Sequence, residues 1–153
     1  MKTVEISTEL AAEPATVWHH VRRPELLNYV SKGVVGFQPL EPATWPDTWS
    51  EGEYTAAMKI FGIPSRWQVI GIEFLESDGR TYRLRDNGRG RDIAVWDHMI
   101  EVAPAGLGTR YTDRVRVDAG WRTPIIAAFA HFLYSHRQKR WRRLVANGFD
   151  YSV

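Results

Sequence analysis

Residues 123–148, TPIIAAFAHFLYSHRQKRWRRLVANG, decide the fold. Thr123 suits a helix N-cap, and Pro124 suits the first helical position, where a missing N–H costs nothing. A helical pattern then runs unbroken to Asn147-Gly148, a stop signal. A helix over Pro124 to Asn147 reaches about 36 Å at ~1.5 Å per residue. Ile126, Phe129, Ala130, Leu133, Arg137, Arg140, Trp141 and Leu144 fall on one stripe of it. Such a stripe needs a broad apolar surface to lie on.

The sequence upstream supplies that surface as strands. Between Gly33 and Asp118 the pattern is alternation broken by turn signals. Gly33 to Leu40 is short and apolar. Tyr54, Ala56, Met58 and Ile60 share one face of the next strand. Gln68, Ile70, Ile72 and Phe74 share a face of the one after it, followed by Tyr82, Leu84 and Asp86. Ala94, Trp96, His98, Ile100 and Val102 line a further strand, and Tyr111, Asp113, Val115 and Val117 the last. Turns are expected at Gly62-Ile63-Pro64, Asp78-Gly79, Asn87 to Gly90 and Pro104 to Gly108. Short turns between consecutive strands make an antiparallel meander. Arg83, Arg85, Arg114 and Arg116 fall on its opposite, solvated face.

At the start of the chain, Val4, Ile6, Thr8 and Leu10 alternate with polar residues as a half-buried strand. Pro14 and Pro24 then open two short helices, Pro14 to Val21 and Pro24 to Val30. The whole reads as an α+β protein. A curved antiparallel sheet of seven strands wraps a long C-terminal helix, with two short helices after strand one. Residues 1–153 read as a single domain.

Composition narrows the function classes. Twenty basic residues against eighteen acidic ones leave a net charge of only +2, too little for a non-specific nucleic-acid binder. No apolar run approaches the ~18 residues of a membrane span, and residues 1–10 alternate instead of forming a leader. Cysteine is absent, which excludes thiolate nucleophiles and cysteine-based zinc sites. A cytoplasmic location is the default expectation. His19 and His20 diverge on a helix, and no phosphate-cradling glycine loop is present, so neither metal nor cofactor is expected.

The order of elements resembles the helix-grip fold of the START-like SRPBCC superfamily. Local sequence carries the likeness: Ala12-Glu13-Pro14-Ala15-Thr16-Val17-Trp18, Pro24-Glu25-Leu26-Leu27, Thr109-Arg110-Tyr111-Thr112-Asp113, and His136 to Trp141. The resemblance spans essentially the whole chain. It implies a cavity between sheet and helix that holds a hydrophobic small molecule. Members include lipid carriers, hormone receptors and polyketide aromatase/cyclases, so function has to be read from the cavity lining.

A hairpin centred near Gly106 puts His98 opposite Asp113 on the inner face, with Ile100 opposite Tyr111 and Trp96 opposite Val115. The pair reads either as two buried groups satisfying each other or as a general base, its carboxylate fixing the imidazole tautomer. A ligand would be expected to meet Tyr54, Met58, Gln68, Ile72 and Tyr82 on the earlier strands. Trp96 and Tyr111 on the later strands, and Leu133 and Arg137 on the helix, complete the expected lining. Arg137 either reaches Asp113, holds an anionic head group at the cavity mouth, or belongs to a solvated basic helix end. The loop Pro39 to Trp49 reads as a flap over the cavity or as a plug whose tryptophans close a core edge.

Three functions fit. The first is binding of an aromatic or lipid-like molecule. The second is a cyclase or dehydratase acting on a polyketide-like substrate through His98 and Asp113. The third is a partner-binding module, a homodimer included, that uses the tryptophan loop and basic helix end.

Overall fold

The computed structural model describes residues 1–153. Strand β1 (Lys2–Leu10) is followed by α1 (Pro14–Val21) and α2 (Pro24–Ser31). The meander comprises β2 (Val35–Glu41), β3 (Gly52–Ile60), β4 (Ile63–Leu75), β5 (Tyr82–Gly90), β6 (Ile93–Ala105) and β7 (Gly108–Asp118). A turn of 3₁₀-helix at Gly120–Arg122 leads into α3 (Thr123–Ala146). All seven strands form one sheet in the order β1-β7-β6-β5-β4-β3-β2, every neighbour antiparallel. This is the helix-grip arrangement.

The long helix starts one residue early. Thr123 is its first residue, and its hydroxyl accepts from Ala119 N–H and donates to the Gly120 carbonyl, so it caps the 3₁₀ turn instead. The buried face of α3 is wider than a stripe of apolar residues: Ala127, Tyr134 and Gln138 join Ala130, Leu133, Arg137, Trp141 and Leu144. The helix packs chiefly against β1, and then against α2 and β7. Because the sheet curves, this contact leaves space over β3 to β6. Trp141 and Leu144 at the C-terminal half of α3 are fully enclosed with Leu10, Val17, Tyr29 and Tyr111. A second cluster surrounds the N-terminal half and includes Val35, Trp96, Val115 and Val117.

Three register details correct the sequence reading. The β6–β7 loop is the two-residue Gly106-Leu107, so Ala105 faces Gly108 and His98 faces Val115, with Ile100 opposite Asp113. The slip is by two residues, which preserves the faces. Asn87 to Gly90 does not turn; it lies inside β5, and the chain reverses at Arg91-Asp92. The glycines serve close packing there: a Cβ on Gly88 would stand 3.0 Å from the Val69 carbonyl oxygen, and one on Gly71 2.7 Å from that of Asn87. Finally, the β3–β4 turn is Phe61-Gly62, both at positive φ, one residue before the expected position.

On the outer face, Arg114 and Arg116 are exposed. Arg83 and Arg85 are half-buried, because cross-strand carboxylates hold them down on the sheet. Arg83 Nε donates to Glu101 at 2.9 Å, and Arg85 Nε donates to Asp97 at 2.8 Å.

Candidate functional site

The space between the sheet and the N-terminal half of α3 is a cavity of about 110 Å³. That is on the scale of the ~150 Å³ void that admits a benzene ring. Met58 and Ile70 floor it, while Ile126, Phe129 and Leu133 of α3 form its roof. Twelve of its fifteen lining residues are hydrophobic, and the three polar exceptions are Gln68, Asp86 and Arg137. A depression of about 260 Å³ shares Met58, Gln68, Ile93 and Ile126 with it and forms its mouth, ringed by Trp67, Arg91 and Arg122. A smaller space of about 50 Å³ adjoins it, lined by Arg23, Leu26, Trp49, Ile72, Leu84 and His98. Asp86 and Arg137 line both spaces and therefore stand where they adjoin.

Arg137 comes from α3, one turn after Leu133 and one before Trp141, on the face turned to the sheet. Its guanidinium sits over the Tyr134 ring, 4.9 Å from the centroid. Its Nε is buried without a hydrogen-bond partner. Asp86 arrives from β5, in phase with Tyr82 and Leu84. Its Oδ1 accepts from Gly71 N–H at 2.9 Å, where pairing between β4 and β5 is interrupted. Burial pushes its pKa up to about 7, against the opposing pull of the Gly71 N–H and the Arg137 charge.

Beside these groups lies a hydrogen-bonded network centred on Asp113. His98 Nε2 and Asp113 Oδ1 are 2.7 Å apart, a diagonal contact across β6 and β7. The carboxylate accepts, so Nε2 carries the hydrogen and Nδ1 is the free base. The same Oδ1 accepts from the Tyr111 hydroxyl at 3.3 Å. Gln138 Nε2 donates to Asp113 Oδ2 at 2.9 Å and to the Ile6 carbonyl at 2.7 Å. Burial lowers the His98 pKa, and the Asp113 hydrogen bond works against that. Nearby, Trp96 Nε1 donates to the Tyr134 hydroxyl at 3.1 Å.

The expected lining divides accordingly. Met58, Gln68, Trp96, Leu133 and Arg137 border the main cavity, and Ile72 and His98 the smaller adjoining space. Tyr54, Tyr82, Tyr111 and Asp113 border neither. Tyr54 packs edge-on against Trp49, with its hydroxyl on the Ser50 backbone. Tyr82 stacks on Trp18 at 5.2 Å. Tyr111 packs on Trp141 in the core. The loop tryptophans also face inward: Trp49 is buried, and Trp45 packs on both Trp49 and Tyr54. Asp86, Tyr134 and Phe129 are among the lining residues that the expected set left out. Asp86 was findable from its parity with Leu84; Tyr134 was not, because it falls beside the stripe.

Seven antiparallel strands gripping a C-terminal helix over an apolar cavity define a START-like helix-grip protein. The chain belongs to the family described as polyketide cyclase / dehydrase and lipid transport, whose profile matches residues 1–147. Among solved structures, a START superfamily protein from Mycobacterium smegmatis superposes with a TM-score of 0.69 at 15% identity, over 95% of this chain and 97% of that one. A protein from Thermus thermophilus gives 0.67 at 13% identity, over 97% and 100%. The AHSA1 protein from Silicibacter pomeroyi gives 0.63 at 9% identity, over 96% and 99%. At these identities the likeness is one of fold. No curated protein matches the sequence. No helix is long and apolar enough to cross a membrane.

Proposed function

We propose that this protein binds a small hydrophobic molecule, aromatic or lipid-like, in the cavity between the sheet and α3. One observation carries the reading: an enclosed space with an almost wholly apolar lining stays unfilled and communicates with a surface mouth. Interiors are ordinarily packed without such voids, which forfeit dispersion contacts. A ligand of matching shape recovers those contacts. Family membership supports the same reading.

A thermal-shift screen of flavonoids, fatty acids and aromatic polyketides tests it. At about 100 times its Kd a ligand stabilises the native state by ~2.7 kcal/mol, which raises Tm by roughly 5–10 °C for a chain this size. Met58→Trp should abolish the shift. Met58 is half-buried between cavity and mouth, so a larger side chain enters the void without displacing the core. No shift with any class in the parent protein would refute the proposal.

The His98–Asp113 contact supports a second reading, a cyclase or dehydratase with Nδ1 as general base, since His98 borders the smaller adjoining space. That reading requires turnover of a poly-β-ketone by the parent protein and its loss in His98→Gln at unchanged binding.

A further inference from the structure

Four buried side chains, Ser31, Trp45, Arg137 and Trp141, each leave a polar atom without a hydrogen-bond partner, and Arg137 is the charged one among them. It is 7% exposed, its Nε has no partner, and it forms no ion pair. A buried cation without a counter-ion is costly, and removing one ordinarily leaves a fold no worse off. Its contact with the Tyr134 ring offsets only part of that cost. The two carboxylates in the neighbourhood, Asp86 and Asp113, favour its charge from a distance, but neither hydrogen-bonds to it. Asp113 is taken up by His98, Tyr111 and Gln138. Asp86 holds the Gly71 N–H and borders the same two spaces as Arg137 without touching it. The guanidinium thus lies where the apolar cavity meets the smaller adjoining space. A planar fork of N–H donors in such a place matches a carboxylate in two-point geometry.

We propose that the ligand is an acidic amphiphile, a carboxylate on an aryl or alkyl body, that enters head-first so that its carboxylate meets Arg137 while its apolar body fills the space under Ile126, Phe129 and Leu133. This rests on the binding reading above and specifies its ligand. Asp86 suits such a guest: carrying its proton, it donates a hydrogen bond to the head group instead of repelling it. The outer-face arginines do not compete for the ligand, because cross-strand carboxylates occupy Arg83, Arg85 and Arg114.

The test compares 3-phenylpropanoate with 3-phenylpropanol, and decanoate with decanol, by titration calorimetry at pH 6. In the parent protein at least one acid should bind ten-fold or more tighter than its alcohol. In Arg137→Met the difference should shrink to about two-fold, with alcohol binding retained. The empty variant should melt no lower than the parent. As a readout independent of any variant, the Arg137 Nε–H resonance should move on adding the acid and stay in place on adding the alcohol. Equal affinity for acid and alcohol would overturn the proposal while leaving the binding reading intact. So would an acid preference that persists in Arg137→Met, or an Nε–H signal indifferent to the acid. Failure of all four compounds to bind would remove both readings together.

Discussion

Asp86→Asn is expected to make this protein markedly more stable above neutral pH and to leave it nearly unchanged near pH 4. Burial raises Asp86 from 3.8 to about 7. Between those values the folded protein keeps a proton that the unfolded chain releases. Stability therefore falls as pH rises through this window and levels off above about pH 7. A shift of about three units corresponds to roughly 4 kcal/mol. Asparagine does not titrate, and its Oδ1 still accepts from Gly71 N–H. The variant should thus gain roughly 2–4 kcal/mol at pH 8, or about 10 °C in Tm. The measurement is the difference between parent and variant in urea unfolding at pH 4, 6 and 8, which cancels every other titrating group. A constant difference across that range would mean that Asp86 is ionised throughout.

Asp113→Ala should have an effect of similar size and opposite sign. Asp113 is 1% exposed and accepts from His98, Tyr111 and Gln138. Truncation leaves His98 Nε2 and the Tyr111 hydroxyl unpaired and takes one of the two acceptors of Gln138 Nε2. The expected loss is about 3–5 kcal/mol, the scale for breaking a buried charged contact by removing one partner. Asp113→Asn keeps one acceptor oxygen and should cost less. It should also lower the His98 pKa further, because the hydrogen bond that opposes burial is weakened. Urea unfolding and NMR titration of His98 provide both numbers. A loss under about 1 kcal/mol for Asp113→Ala would show that water or a moved side chain replaces the carboxylate.

The fold was legible because its signals were local. Uninterrupted periodicity from Pro124 onward identified the helix, and strict alternation with short turns identified the meander. The errors also have local causes. Asn87-Gly88 has turn chemistry, yet Gly88 is there because β4 and β5 approach too closely for a side chain. The His98–Asp113 contact was reached through a register wrong by two residues. It survived because the shift is even, which keeps both residues on the inner face, and because the imidazole spans a diagonal. The lining was harder to read. Parity tells which residues face inward, but not which inward residues pack and which stand free. Tyr54, Tyr82 and Tyr111 face inward and are spoken for by Trp49, Trp18 and Trp141. Arg137 showed the converse difficulty, since a basic helix end and a buried, unpaired cation look alike until the sheet is placed against them.

The central claim is that the space under α3 is a binding site, and methyl chemical-shift mapping tests it most directly. Isoleucine and leucine methyls are observed while an aromatic carboxylic acid is titrated to saturation. The account predicts saturable shifts at Ile70, Ile93, Ile126 and Leu133, which line the cavity, and none at the exposed Ile63, Leu107 and Ile125. Shifts confined to the exposed methyls, or growing linearly without saturation, would contradict it.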